Sequence, residues 1–137
     1  MNLNRLRRED GQAMTEFALV LPIFVALLFA IIQFGIAFNN YLTLTDATRT
    51  GARKAAVSRF IGDNGASATQ AVRAAAAGLD QTALVPTVTS TNAGGAADWT
   101  TSGDVVTVTA TYPYTINIFG FSVKSGRLTS TTKERLE

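Results

Sequence analysis

From Phe17 to Phe38 the chain runs apolar without a single charge, and this segment sets the reading of everything around it. Of its 22 residues, 15 are Leu, Ile, Val or Phe. At roughly −0.3 to −0.6 kcal/mol each, these supply about −4.5 to −9 kcal/mol toward membrane insertion, which Pro22, Gln33 and Gly35 offset only in part. As a helix the run extends about 33 Å, enough to cross a hydrocarbon layer of about 30 Å. The alternative is a buried core helix. It would need a domain able to enclose a helix apolar on every face, and the rest of this chain is too small for that.

Past Phe38 the apolar stretch gives way to a narrower stripe without a helix breaker. Leu44, Ala47, Gly51 and Ala55 recur at spacings of three and four, and Asp46 can pair with Arg49 on the wetter side. The pattern predicts one helix from about Gln12 to Phe60, bent if anywhere near Pro22. A rod that is greasy at one end and amphipathic at the other suits packing against copies of itself. Gly62-Asp63-Asn64-Gly65 breaks it. Ser67-Ala68-Thr69-Gln70 then has the spacing of a capping box, opening an Ala-rich second helix that Gly78 would end. The Ala face of that helix is expected to pack on a sheet.

From Leu84 onward, Thr and Val alternate as in strands. Leu84–Thr91 is the first. In Val105–Tyr112, residues Val106, Val108, Ala110 and Tyr112 fall on the core face and Thr107, Thr109 and Thr111 on the other. Pro113 is expected to end that strand. Ile116–Val123 changes phase at Gly120, as at a bulge or tight bend, and Arg127–Thr132 forms a last strand. The fold class is α+β: a long N-terminal transmembrane helix continuing into a small domain with a short second helix and a small antiparallel sheet of three or four strands. In segments, residues 1–11 read as a leader, 12–60 as the long helix with a span at about 17–38, and 61–137 as a soluble domain.

Composition narrows the functional classes. With 12 Lys+Arg against 10 Asp+Glu the net charge is +2, and no basic stripe interleaved with aromatics marks a nucleic-acid surface. The chain has no Cys and no His, which removes disulfides, thiol nucleophiles, Cys–His zinc sites and the usual general base. Neither a catalytic set, a cofactor nor a small-molecule substrate is expected. Trp99, Tyr112 and Tyr114 read as packing residues rather than an adhesive patch. Asp98 and Asp104 flank a loop whose spacing fits no known calcium site. Lys133, Glu134, Arg135 and Glu137 read as a solvated tail. Three Arg (Arg5, Arg7, Arg8) precede the span, while Arg49, Arg53, Lys54 and Arg59 follow it at greater distance. Proximity favours an N-terminus on the cytoplasmic side.

The most informative segment is Gly11-Gln12-Ala13-Met14-Thr15-Glu16-Phe17. An ordinary signal peptide is cut after its apolar region. Here a Gly closes a short basic leader before the span, and an acid follows at the edge of hydrocarbon, where a carboxylate is costly and needs a partner. A cut after Gly11 would create an α-amino group that a neighbouring, axially shifted helix could present to Glu16. Such a pair fixes register more than it adds stability. The plainer reading makes Glu16 an interfacial marker at a helix N-terminus.

Gly11, then Glu16-Phe17, resembles the processing site of the tight-adherence (Flp) branch of type IV pilins. With Glu16-Phe17-Ala18-Leu19-Val20-Leu21-Pro22, Gln33-Phe34-Gly35 and Gly51-Ala52-Arg53, the segment Gly11–Ala56 looks like the TadE-like minor pilins or pseudopilins of that system. It departs from the usual member in carrying Gln33 where Glu is common. The resemblance implies a single-pass inner-membrane subunit with its C-terminal domain outside. Prepilin peptidase would cut it between Gly11 and Gln12, and it would contact other pilin subunits through its N-terminal helix and the pilus assembly machinery, with Glu16 and Phe17 serving assembly. Two further readings stay open at this point. One is an unprocessed bitopic anchor displaying an adhesive or scaffold domain. The other is a secreted enzyme released by a cut near Ala37.

Overall fold

The computed structural model describes residues 3–58, 62–63, 65–92, 94–95, 99–118 and 120–137, with the backbone alone for residues 3–10. Its elements in chain order are α1 (Leu3–Ala56), α2 (Ala66–Ala75), β1 (Val85–Thr91), β2 (Val105–Ile118) and β3 (Phe121–Arg135). The three strands form one antiparallel sheet in the order β1-β2-β3. The architecture is α+β, as the alternating pattern predicts.

The helix α1 is one 54-residue element that includes Pro22. It already begins at Leu3, within the expected leader, and ends at Ala56 instead of Phe60; Arg59, Phe60 and Ile61 lie outside the described residues. Its outer half carries the predicted stripe, and the structure shows what that stripe packs on. Leu44, Ala47, Gly51 and Ala55 are all buried, but under the chain's own α2 and sheet and not against a second copy. The core comprises these residues with Ala52, Ala68, Val72, Ala76, Leu79, Leu84, Val106, Val108, Ala110 and Leu136. Trp99, Tyr112 and Leu128 pack against its margin. Small side chains on α1 allow this close approach. A methyl group built on Gly51 would overlap Val72 Cγ2 on α2 and lie 3.3 Å from the Ala68 carbonyl oxygen and 3.4 Å from Val108 Cγ1 on β2.

A hydroxyl network fixes how α1 sits along β3. Thr48 Oγ1 donates to the Thr45 carbonyl at 2.8 Å, which leaves its two lone pairs for the hydroxyls of Ser130 at 3.0 Å and Thr132 at 3.2 Å. Thr48 is fully buried and its bonding capacity is full. At the far end of the sheet the Leu136 amide donates to the Asp104 carbonyl at 2.8 Å, and the Glu137 amide to the last carbonyl of α1, Ala56, at 3.1 Å. Lys133, Glu134, Arg135 and Glu137 are exposed, as a solvated tail would be, but the segment is strand β3 up to Arg135, followed by a buried Leu136.

Several local expectations need correcting. The capping box at Ser67 does not form: α2 starts from Gly65, in the left-handed region at φ 84°, without a side-chain cap. Asp63 serves instead, its carboxylate accepting the Gly65 amide at 3.1 Å and the Ser67 amide at 2.8 Å. Two orphan N–H groups are satisfied from outside the helix, so Ser67 and Gln70 have no capping role left. The helix ends at Ala75, with Ala76 as its cap, short of Gly78. It rests mainly on α1, with only a flank on β1. Pro113 does not end β2, which continues to Ile118 with Pro113 opposite Arg127. β1 stops at Val85, opposite Thr111, so β2 is an edge strand from Tyr112 onward, where proline is tolerated. Ile116–Val123 is the tip of the β2–β3 hairpin, with strand on either side of the tight bend expected at Gly120, φ 84°. A register shift lies beside it, at Ile116/Asn117. The predicted facing of β2 holds: Val106, Val108 and Ala110 are fully buried, while Thr109 meets Thr131 in an exposed hydroxyl pair at 3.1 Å.

Two measurements on the detergent-solubilised full chain, read through the emission of Trp99, the single tryptophan, check this account. Gly51→Ala and Val72→Ala are expected to couple by at least about 0.5 kcal/mol in a double-mutant cycle, because removing the Val72 methyls vacates the space that a Cβ at position 51 needs. Additive behaviour would place the close approach elsewhere. Thr48→Val should cost about 1–3 kcal/mol by leaving the buried Ser130 hydroxyl without its partner. Thr109→Val, at the exposed pair, is expected to stay within about 0.5 kcal/mol of the parent.

Candidate assembly surface of the N-terminal helix

Two surfaces remain once the domain has packed. The first is the helix face from Gly11 onward. None of the side chains along the apolar segment of α1 is buried by the rest of the chain. Large side chains including Phe17, Leu19, Ile23, Phe24, Ile31 and Phe34 stand exposed. In water such a surface is unsustainable, since each fully exposed Leu, Ile or Phe forgoes about 1.5–3 kcal/mol of burial. This is one helix long and apolar enough to span a membrane.

The residues singled out at its head sit on consecutive turns of this helix. Gln12 Nε2 donates to Glu16 Oε1 at 3.0 Å, one turn on, and the Thr15 hydroxyl donates back to the Gly11 carbonyl at 2.9 Å. The partner that the described residues supply to Glu16 is thus a neutral amide, and Glu16 is exposed, as is Phe17 next to it in sequence. Gly11 is helical, and a Cβ built there meets nothing within 4 Å. Its lack of a side chain therefore has no packing reason in the folded chain. Further along, the rings of Phe34 and Phe38 stack at 6.2 Å, extending the apolar face to the domain's edge.

The second surface was not anticipated. Between α1 and the outer part of the hairpin lies an open groove of about 490 Å³. Phe34, Ala37, Phe38 and Tyr41 form one wall, and Tyr114, Ile116 and Leu128 the other, with Lys124 and Arg127 on its rim. Gly126 makes room for the opposing Tyr114 ring, whose Cε1 would be 2.9 Å from an added Cβ. The signal was present in the sequence, because the alternation of Tyr112, Tyr114, Ile116 and Ile118 carries on past Pro113 in the phase of Val108 and Ala110.

The remaining candidates are accounted for by packing. Trp99 lies 2.7 Å from the Cβ position of Gly65 and packs on the core. Trp99 and Tyr112 thus serve the fold, whereas Tyr114 lines the groove. Asp104 is buried, Asp98 lies outside the described residues, and among the described residues no three acidic side chains converge as a metal site would require. Arg49 and Asp46 pair at 3.7 Å in the open, as their spacing predicts.

Neither a curated protein nor a solved structure matches this chain. A family model does match residues 11–53, the segment that bears Glu16, the apolar helix face and the first part of the buried stripe. The family is described as TadE-like protein, a pilin-like and non-enzymatic structural family associated with the tight-adherence pilus. Over the helix of residues 11–53, this chain is similar to the TadE-like family.

Proposed function

We propose that the protein is a minor pilin or pseudopilin of a Flp-type, tight-adherence pilus, held in the inner membrane by α1 with its N-terminus cytoplasmic and its α+β domain outside. The observation that carries this reading is the uncovered apolar face of α1 headed by Glu16, within the segment that matches the family. A monomer needs a hydrophobic anchor, but it has no use for a carboxylate at the edge of that anchor. A subunit that must find register against identical helices does have one.

In this reading prepilin peptidase cuts between Gly11 and Gln12. The peptide there is helical in the intact chain, and a protease needs it extended. Glycine gives up a helix more cheaply than Ala by about 1 kcal/mol, and the Gly11 carbonyl is released once the turn opens and both the Thr15 amide and the Thr15 hydroxyl let go of it. The new α-amino group of one subunit then meets Glu16 of its neighbour, displacing the Gln12 amide. Phe17 packs between the helices beside that pair.

The alternative is an unprocessed bitopic anchor that displays the outer domain, favoured by the continuity of α1 through Gly11. Mass spectrometry of the membrane-extracted protein decides between them. A start at Gln12, leaving 126 of the 137 residues, supports processing, and Gly11→Leu should then retain the leader. A start at Met1 in cells that possess the peptidase would support the anchor. A start near Phe38 would overturn both in favour of a secreted product.

Glu16→Ala tests assembly separately from insertion. It should insert and be cut normally, because a charge at the rim adds little to the cost of spanning. The mature subunit should then accumulate in the membrane and disappear from sheared surface pili. Glu16→Asp keeps the charge with one methylene less reach and is expected to be partly active. Normal pilus incorporation of Glu16→Ala would reduce the acid to a marker of the interface.

A further inference from the structure

The groove beside the end of the span is built in a way that the assembly role does not use. One wall, Phe34, Ala37 and Phe38, belongs to the apolar run of α1 itself. The other wall is the hairpin, which reaches back along α1 past the last core residues. In the register Ile116 opposes Lys124 and Ile118 opposes Phe121, so these four share the face that Tyr114 turns toward α1. Val123 is the extra residue at the register shift. Phe121 is 77% exposed and Val123 62% exposed, although both are large and apolar. Lys124 and Arg127 rim this surface, and from Tyr112 to Leu128 the sequence has no Asp or Glu.

We propose that the tip of the β2–β3 hairpin is a second membrane contact: it enters the headgroup layer of the leaflet on the domain's side, with Ile118, Phe121 and Val123 at the acyl boundary and Lys124 and Arg127 on anionic lipid phosphates. This rests on α1 being the membrane span. If α1 spans, Phe34 lies in or against hydrocarbon, and the hairpin wall facing it across an open groove is at the same depth. Apolar tip residues are stable there, and basic side chains extend their stems along apolar surface while keeping their charge at the phosphates. A second copy of the chain fits the groove less well. At this level α1 offers Phe34 to Tyr41 with no acidic residue, so a neighbouring helix has nothing for Lys124 and Arg127, whereas lipid phosphate is the anion present at that depth.

The chain lacks Cys, so single labels are clean. The full-length protein is reconstituted in vesicles of phosphatidylcholine with phosphatidylglycerol, spin-labelled at Phe121→Cys, with Phe24→Cys in the span and Lys133→Cys at the far end of β3 as references. Collisions with oxygen and with a water-soluble nickel chelate report the depth of each label. Phe121 is expected to favour oxygen, as Phe24 does, and Lys133 to favour nickel. Lys124→Gln and Arg127→Gln should each lower the inserted-to-free ratio at Phe121 about fivefold in these vesicles, and leave it unchanged in phosphatidylcholine alone. Phe24 in lipid with Phe121 in water would overturn the hairpin anchor and leave the span standing. Phe24 in water would overturn the span itself. Spin–spin broadening between copies at Phe121, without oxygen preference, would assign the groove to a second subunit and overturn the proposal. Insertion that ignores headgroup charge would overturn the phosphate contact.

Discussion

With their side chains cut to a methyl or a hydrogen at Ala47, Gly51 and Ala55, the outer turns of α1 come close enough for Val72 of α2 and Val108 of β2 to meet over one glycine. The rest of the domain depends on that approach. The sheet has three strands, one of them seven residues long, and offers only one apolar face. Such a sheet is marginal until something covers it. Here the cover is the end of the same helix that carries the apolar run, so the domain borrows its core from that helix. Removing α1 would take away Leu44, Ala47, Ala52 and Ala55 as well as the apolar run.

This arrangement gives the two halves of α1 different chemistry for a physical reason. Van der Waals packing against lipid or a neighbouring helix tolerates large side chains that can repack, and the run from Phe17 to Phe38 is rich in Phe, Leu and Ile. Docking a helix on its own sheet at short range requires small ones. The turn where Thr48 meets Ser130 and Thr132 adds direction. Apolar contact alone would let the helix slide by a turn at little cost, whereas a buried hydroxyl with all its bonds made accepts one position and penalises others by the loss of those bonds.

Much of this was legible in the sequence, and the failures share a cause. The run of Phe17–Phe38, the stripe at Leu44 to Ala55 and the facing of Val106, Val108 and Ala110 are periodic signals, and periodicity reports which face is buried whatever covers it. It could not report what the cover is, which is why the stripe reads equally well as a subunit interface. The errors arose from local rules that tertiary context overrides. Ser67 and Gln70 have capping spacing, yet Asp63, upstream in the turn, reaches the amides first. Pro113 looks like a terminator only if β2 has neighbours on both sides, and beyond Thr111 it has one. Gly78 reads as a helix stop, but α2 has already ended at Ala75. Of the candidate site, the acid at position 16 and its place at the head of the apolar helix were visible in advance. The groove was not, because its walls are distant in sequence and only the fold brings Phe34 beside Ile116.

The Thr48 node also bears on how a change at one end of the molecule reaches the other. Because α1 is a single helix and its outer turns are locked to β3, an axial displacement of the helix carries the sheet with it as one body. In the proposed assembly, a subunit that moved along its neighbours until Glu16 met its counterpart would carry the hairpin tip and its groove by the same amount. The depth of Phe121 relative to Phe34 is set inside the chain, by Thr48, Ser130 and Thr132, and not by the surroundings. Register at the head of the helix and the height of the domain above the bilayer are therefore one variable. A subunit drawn upward along its axis has to lift the apolar tip out of whatever layer it occupies.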